Sequence, residues 1–91
     1  MNPHTEPRIY ERRQANIEAM QYDGLNGEAV EFWSAGRMIP TFMKSGIPIL
    51  TYYMGGQMTI VWAGDFVIRE FNGTYHHMSE TAFFRAYAVP A

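Results

Sequence analysis

Hydrophobic and polar positions alternate over residues 15–22, and that alternation sets the first element. Ala15, Ile17 and Ala19 fall on one face, with Asn16, Glu18, Met20 and Tyr22 on the other. The period predicts a strand, although the alanines also suit a helix. Asp23-Gly24 breaks it. Asn26 then reads as a helix N-cap, with Leu25 and Val30 at hydrophobic-staple spacing. Leu25, Ala29, Phe32 and Trp33 form an expected buried stripe, and Glu28 and Glu31 the wet side. Gly36 is placed at the C′ position of this helix of two to three turns.

Residues 37–44 predict a strand in which Pro40, lacking a donor, demands a sheet edge or a bulge. Ser45-Gly46 turns the chain into a second β-rich run over residues 47–53, and Gly55-Gly56 turns it again. Residues 57–62 follow, with Met58, Ile60 and Trp62 on one face.

Residues 64–87 organise the rest. Asn72-Gly73 between two β-rich runs predicts a two-residue type I′ hairpin. That loop pairs Phe71 with Thr74, Glu70 with Tyr75, Arg69 with His76 and Ile68 with His77. One face then carries Phe66, Ile68, Glu70, Tyr75 and His77. The other carries Val67, Arg69, Phe71, Thr74, His76 and Met78. Neither alternates cleanly, which implies packing on both sides. Ser79 caps a short helical turn over residues 80–84, and residues 85–89 are expected to close as a last strand ended by Pro90. Residues 1–8 read as a flexible lead-in and residues 9–91 as one domain, with 9–14 a strand or ordered arm. The sum is an α+β fold: a curved antiparallel sheet, a roll or small barrel-like, with one short helix.

The chain of 91 residues is 47% hydrophobic, 15% aromatic and 18% charged, a composition that folds. The aromatic load suits rings at a ligand or subunit surface as well as in a core. A net charge of −2 argues against a coat for long nucleic acid, which needs clustered Lys and Arg, while leaving room for a small anion. Cysteine is absent, excluding disulfides and thiolate chemistry. No apolar run approaches the roughly 18 residues that span a bilayer. Pro3, His4, Glu6 and Pro7 give the N-terminus no signal-peptide character, so the expectation is a cytoplasmic protein without membrane contact.

Gly64-Asp65-Phe66-Val67-Ile68, Gly73, Tyr75, Phe83 and Tyr87 resemble the closing segment of a widespread family of small bacteriophage proteins. There, a Pro-Gly-Asp-aromatic turn feeds a strand, a glycine hairpin, a Tyr and a terminal Phe…Tyr pair. Residues 17–24, the helix ending Phe32…Gly36, and Ile39-Pro40-Thr41 match the same pattern, so the resemblance covers most of residues 15–89. It departs at Ala63, where the pattern has Pro, and at His76-His77, where it has Pro-Cys. The chain is similar in size to phage sponge proteins that sequester cyclic nucleotide signals of bacterial immunity. That resemblance implies a homo-oligomeric, non-catalytic binder acting in the host cytoplasm, with a ligand preference that the changed His pair puts in question.

Candidate chemistry is sparse. His76 and His77 are strand neighbours pointing to opposite faces and cannot share one ion without a bulge, so no metal is expected. No paired carboxylates, nucleophile elbow or phosphate loop appears, and no cofactor is implied; Asp65 reads as a turn cap rather than a base for His76. Cations paired with rings stand out instead. Arg69 and His76 are expected neighbours across the hairpin, on the face shared with Phe71. Arg12 and Arg13 follow Tyr10, and Lys44 precedes the Tyr52-Tyr53 pair, in which Tyr53 is the ring left for a partner. Rings stack on bases while Arg forks to phosphate, and Tyr10, Arg12, Arg13, Lys44, Tyr53, Arg69, Tyr75 and His76 form the candidate ligand set. The plainer alternative is solvated charges covering aromatic stems. Met38, Met43, Met54, Met58 and Met78 serve as core filler or as an adaptable interface.

The expected function is sequestration of a cyclic di- or trinucleotide between subunits of a dimer or tetramer, without cleavage. The alternative is a protein-binding inhibitor of a host defence enzyme, acting through a sheet edge or an aromatic patch. A hydrolase lacks a base-and-nucleophile set.

Overall fold

A computed structural model describes residues 6–11 and 16–87. The strands are β1 (Arg8–Glu11), β2 (Asn16–Gln21), β3 (Ile39–Phe42), β4 (Pro48–Met54), β5 (Gln57–Val61), β6 (Phe66–Arg69) and β7 (Tyr75–Met78), and the helices are α1 (Gly27–Trp33) and α2 (Glu80–Ala86). The class is α+β, in two antiparallel sheets: one of four strands ordered β1-β2-β6-β7 and one of three ordered β3-β4-β5. They do not close into a barrel. Among the described residues no helix is long and apolar enough to cross a membrane.

The four-stranded sheet is covered on both faces. One face sends Met20 and Val67 into a core with Val30 of α1, Leu50, Tyr52 and Val61 of the second sheet, and Tyr22 and Met38 from the segments just after β2 and just before β3. The other sends Ile17, Ala19, Phe66 and Ile68 against Phe83 and Tyr87 of the C-terminal segment. Three consecutive β6 residues, Phe66, Val67 and Ile68, are therefore buried, a run that only two-sided cover produces. Pro40 lies in β3, an edge strand, where its missing donor breaks no ladder.

The hairpin sits where the sequence places it, but its register differs by one residue. Arg69 pairs with Tyr75, Ile68 with His76 and Val67 with His77. The loop has three residues, Phe71, Asn72 and Gly73, closed by Glu70 N–H to Thr74 O at 2.9 Å and Gly73 N–H to Glu70 O at 2.9 Å. Gly73 has φ +87°, the left-handed position of a bulged three-residue turn. A one-residue slip moves every side chain to the other face. Val67, Arg69, Tyr75 and His77 therefore share a face, while His76 joins Phe66, Ile68 and Met78.

The last segment is helix, not strand: α2 runs on through Arg85 and Ala86, and residues 88–89 lie outside the described residues. Ser79 Oγ accepts from Ala82 N–H at 3.2 Å. Phe83 stacks on Phe66 at 3.9 Å and tilts against Tyr87 at 4.9 Å, so the four-residue spacing of 83 and 87 keeps both on one helical face. There are thus two helices where one was expected.

Helix α1 forms as expected but turns a different face inward. Leu25 and Phe32, expected in the core, are 91% and 90% exposed. The buried line is Gly27, Val30 and Ser34. A Cβ on Gly27 would stand 3.0 Å from Pro40 Cβ, so this close seat on β3 fixes the rotation. At about 100° per residue Phe32 then faces away. Asn26 makes no side-chain cap; its amide donates to Gln21 O at 2.8 Å instead. At the other end Gly36 N–H bonds Glu31 O at 2.9 Å and Ala35 N–H bonds Phe32 O at 3.1 Å. That is a Schellman ending with Ala35 (φ +55°) at C′ and Gly36 one place further on.

These two left-handed positions predict opposite effects. Ala35→Gly removes the Cβ penalty and should raise stability by about 1 kcal/mol, whereas Gly73→Ala should lower it by about 1 kcal/mol. Urea midpoints of the two variants against the parent check both signs.

Candidate functional site

Arg69 ends β6 and stands between Glu18 on β2 and Tyr75 on β7, its cross-strand partners. Its Nε donates to Glu18 Oε1 at 2.8 Å and its Nη2 reaches the same oxygen. Its Nη1 donates to Tyr75 Oη at 3.1 Å. The guanidinium lies 5.2 Å from the Trp33 ring centroid and 5.9 Å from that of Tyr75. The hydrogen bond to Glu18, then that to Tyr75, raises the Arg69 pKa above its ordinary value and locks the charge on.

Trp33 reaches this cluster from the last turn of α1. It meets Tyr75 edge to face at 5.5 Å, and Tyr75 Oη donates to Trp33 O at 3.4 Å. Arg37, after the helix, lies 5.3 Å over the outer side of the cluster at the Tyr75 ring, and its Nη1 donates to Gly73 O at 2.9 Å. Two guanidinium groups and two rings are thus interleaved, an arrangement in which each cation faces ring π-density.

Two grooves flank the cluster. One of about 390 Å3 is lined by Ile9, Ile17, Glu18, Arg69, Glu70, Phe71 and Gly73. The other, about 480 Å3, is lined by Pro7, Met20, Glu28, Ala29, Phe32 and Trp33. Both are of small-molecule size. Among the described residues Trp33 Nε1 is the one buried side-chain polar atom without a hydrogen-bond partner. An unmet buried donor costs about 1–3 kcal/mol.

The candidate ligand set is divided by the fold. Arg69 and Tyr75 come together. His76 is on the opposite face of the sheet, its Nε2 2.9 Å from Glu70 Oε1, so it does not join Arg69. Lys44 is exposed in the turn before β4, and Tyr53 is exposed near the far end of β4, about 15–20 Å away at strand rise. Tyr10 pairs with Ile17 through its backbone; its side chain, Arg12 and Arg13 lie outside the described residues. Glu18, Trp33 and Arg37 escaped the sequence reading. Glu18 joins only through the β2–β6 register, and Trp33 was assigned to the core. Arg37 had a legible signal, a lone cation just past a helix end.

Tyr52 and His77 join the two sheets through Tyr52 Oη and His77 Nδ1, 2.7 Å apart. Burial lowers the His77 pKa, against the pull of Asp65 and with a smaller push from His76. Among the described residues no three His, Asp or Glu side chains are grouped to hold a metal ion.

Arg69→Ala leaves Glu18 without its partner at a site about one-third exposed, and should lower stability by about 1 kcal/mol in urea denaturation. His77 gives a pH dependence. With its native pKa depressed, the unfolded chain takes up the proton first as pH falls through about 6.5. Stability should therefore decline on acidification from about pH 7.5 to 5.5, and less so in His77→Gln, as read from denaturation midpoints across that window.

Comparison of this chain with protein-family models, with curated proteins and with solved structures found no match.

Proposed function

We propose that this chain is a binding protein that holds an anionic, ring-bearing small molecule, a cyclic oligonucleotide, at the interleaved cluster of Arg37, Tyr75, Arg69 and Trp33, and that it does so without cleaving it. The observation that carries this reading is the pair of guanidinium groups set against two rings beside a groove of about 390 Å3. A nucleobase adds to such a stack and a phosphate takes the free guanidinium edges. Arg37 is the first contact, because it is exposed and pairs with no carboxylate among the described residues. Arg69 joins when a phosphate oxygen displaces Glu18. The exposed Phe71 ring at the hairpin tip supplies a further stacking face.

Calorimetric titration of cyclic di- and trinucleotides tests this. At least one should bind, be recovered unaltered after the complex is heated, and lose about tenfold or more in affinity with Arg37→Ala. Binding by none, or unchanged affinity in that variant, overturns the reading.

A second reading, docking of another protein through an aromatic patch, is favoured by Phe32 and Leu25. Phe32 projects from the outer side of α1 beside Glu28 and Glu31, and Leu25 lies exposed just before the helix, a surface suited to a basic, apolar segment. Selection from a random peptide library should enrich such segments on the parent and not on Phe32→Asp.

A further inference from the structure

The groove beside Arg69 already holds two carboxylates, Glu18 and Glu70. Glu70 is committed to His76, its Oε1 2.9 Å from His76 Nε2. Glu18 is held more loosely. Arg69 reaches it through Nε and Nη2, and both meet the same oxygen, Oε1. Glu18 Oε2 takes no hydrogen bond among the described residues, and the side chain is 36% exposed.

A phosphate that takes Arg69 therefore turns Glu18 out as an unpaired anion beside a second anion. Like charges at that range repel, so the exchange is unfavourable unless the ligand gives the carboxylate something in return. An ionised carboxylate only accepts, through two oxygens set side by side, and what satisfies it is a pair of adjacent donors. Among the common bases guanine presents that pair, with N1–H next to the N2 amino group on its Watson–Crick edge. Adenine and cytosine set one donor beside an acceptor, and uracil sets a single N–H between two carbonyls.

We infer that the nucleotide held here carries guanine and that Glu18 reads it: one ligand replaces the Arg69–Glu18 pair with phosphate on Arg69 and guanine on Glu18. This rests on the cyclic-nucleotide reading above and narrows it. The register sets Glu18 directly across from Arg69, so both exchanges take place at one point of the sheet. Phe71, 85% exposed, lines the same groove and offers the base a stacking face. Stacking accepts any base, which leaves the choice among bases to the carboxylate.

Calorimetric titration with cyclic diguanylate and cyclic diadenylate tests this. The parent should bind the guanine compound about tenfold or more tightly than the adenine one, with the hypoxanthine analogue, which lacks the N2 amino group, in between. Glu18→Gln sets a donor and an acceptor where two acceptors stood, a match for adenine, and should shrink the preference by about tenfold or reverse it. Phe71→Ala, at the exposed tip, should weaken both compounds alike, by about fivefold or more. Equal binding of the two compounds by the parent overturns the inference and leaves the cyclic-nucleotide reading standing. So does a guanine preference that Glu18→Gln leaves unaltered. Binding of no cyclic nucleotide overturns both. The parent titrations decide the base preference whatever Glu18→Gln does to folding.

Discussion

Strand β6 is held from both sides, and the rest of the molecule depends on that. Phe66 and Ile68 face α2, Val67 faces α1 and the second sheet, and Arg69 ends the strand at the surface. A four-residue strand therefore joins two cores that share no buried residue. Its neighbour β2 does the same with Ile17 and Ala19 on one side and Met20 on the other. Further bonds brace this pair: Gln21 Nε2 donates to Gly64 O at 3.0 Å and to Glu80 Oε2 at 2.9 Å, fastening the entry turn and α2 to β2. In a small domain such double use of two strands raises the fraction of surface buried beyond what one layer achieves.

What the sequence disclosed follows from the range of each signal. The strands between residues 16 and 78, the start of α1 and the Ser79 cap rest on spacing within a few residues, and they form where expected. Register is a different matter. Asn72-Gly73 marks a turn, but the choice between a two-residue loop and a bulged three-residue loop lies in how Arg69, Ile68 and Val67 meet their partners. That choice decided the site, since it placed Tyr75 and not His76 beside Arg69. The orientation of α1 was equally hidden. Leu25 and Phe32 look buried by type, and only the contact of Gly27 with Pro40, from a separate element, turns them outward. The strand expected after Phe84 failed for a similar reason, because Phe83 and Tyr87 gain more from packing together on Phe66 than residues 85–87 gain from a free sheet edge.

The charges are similarly committed. Arg69 is held by Glu18 and Tyr75, and His76 by Glu70, so both of these sequence candidates are tied into local pairs. Lys44 and Tyr53 sit on the other sheet. What the fold assembles instead is a mixed cluster in which Trp33 belongs at once to the edge of the core and to the surface. Its ring packs against the core residues while its Nε1 lacks a partner.

The bulged turn separates shape from content at the hairpin tip. Gly73 supplies the left-handed backbone and the Asn72 side-chain Oδ1 accepts from the Thr74 N–H and the Thr74 Oγ1 hydroxyl, so much of the conformation is set by residues 72–74. Phe71, 85% exposed, makes none of those bonds. Position 71 is thereby free to vary under selection: a lineage can try one side chain after another at the rim of the groove with little consequence for folding, and so reshape that rim without rebuilding the sheet that presents it.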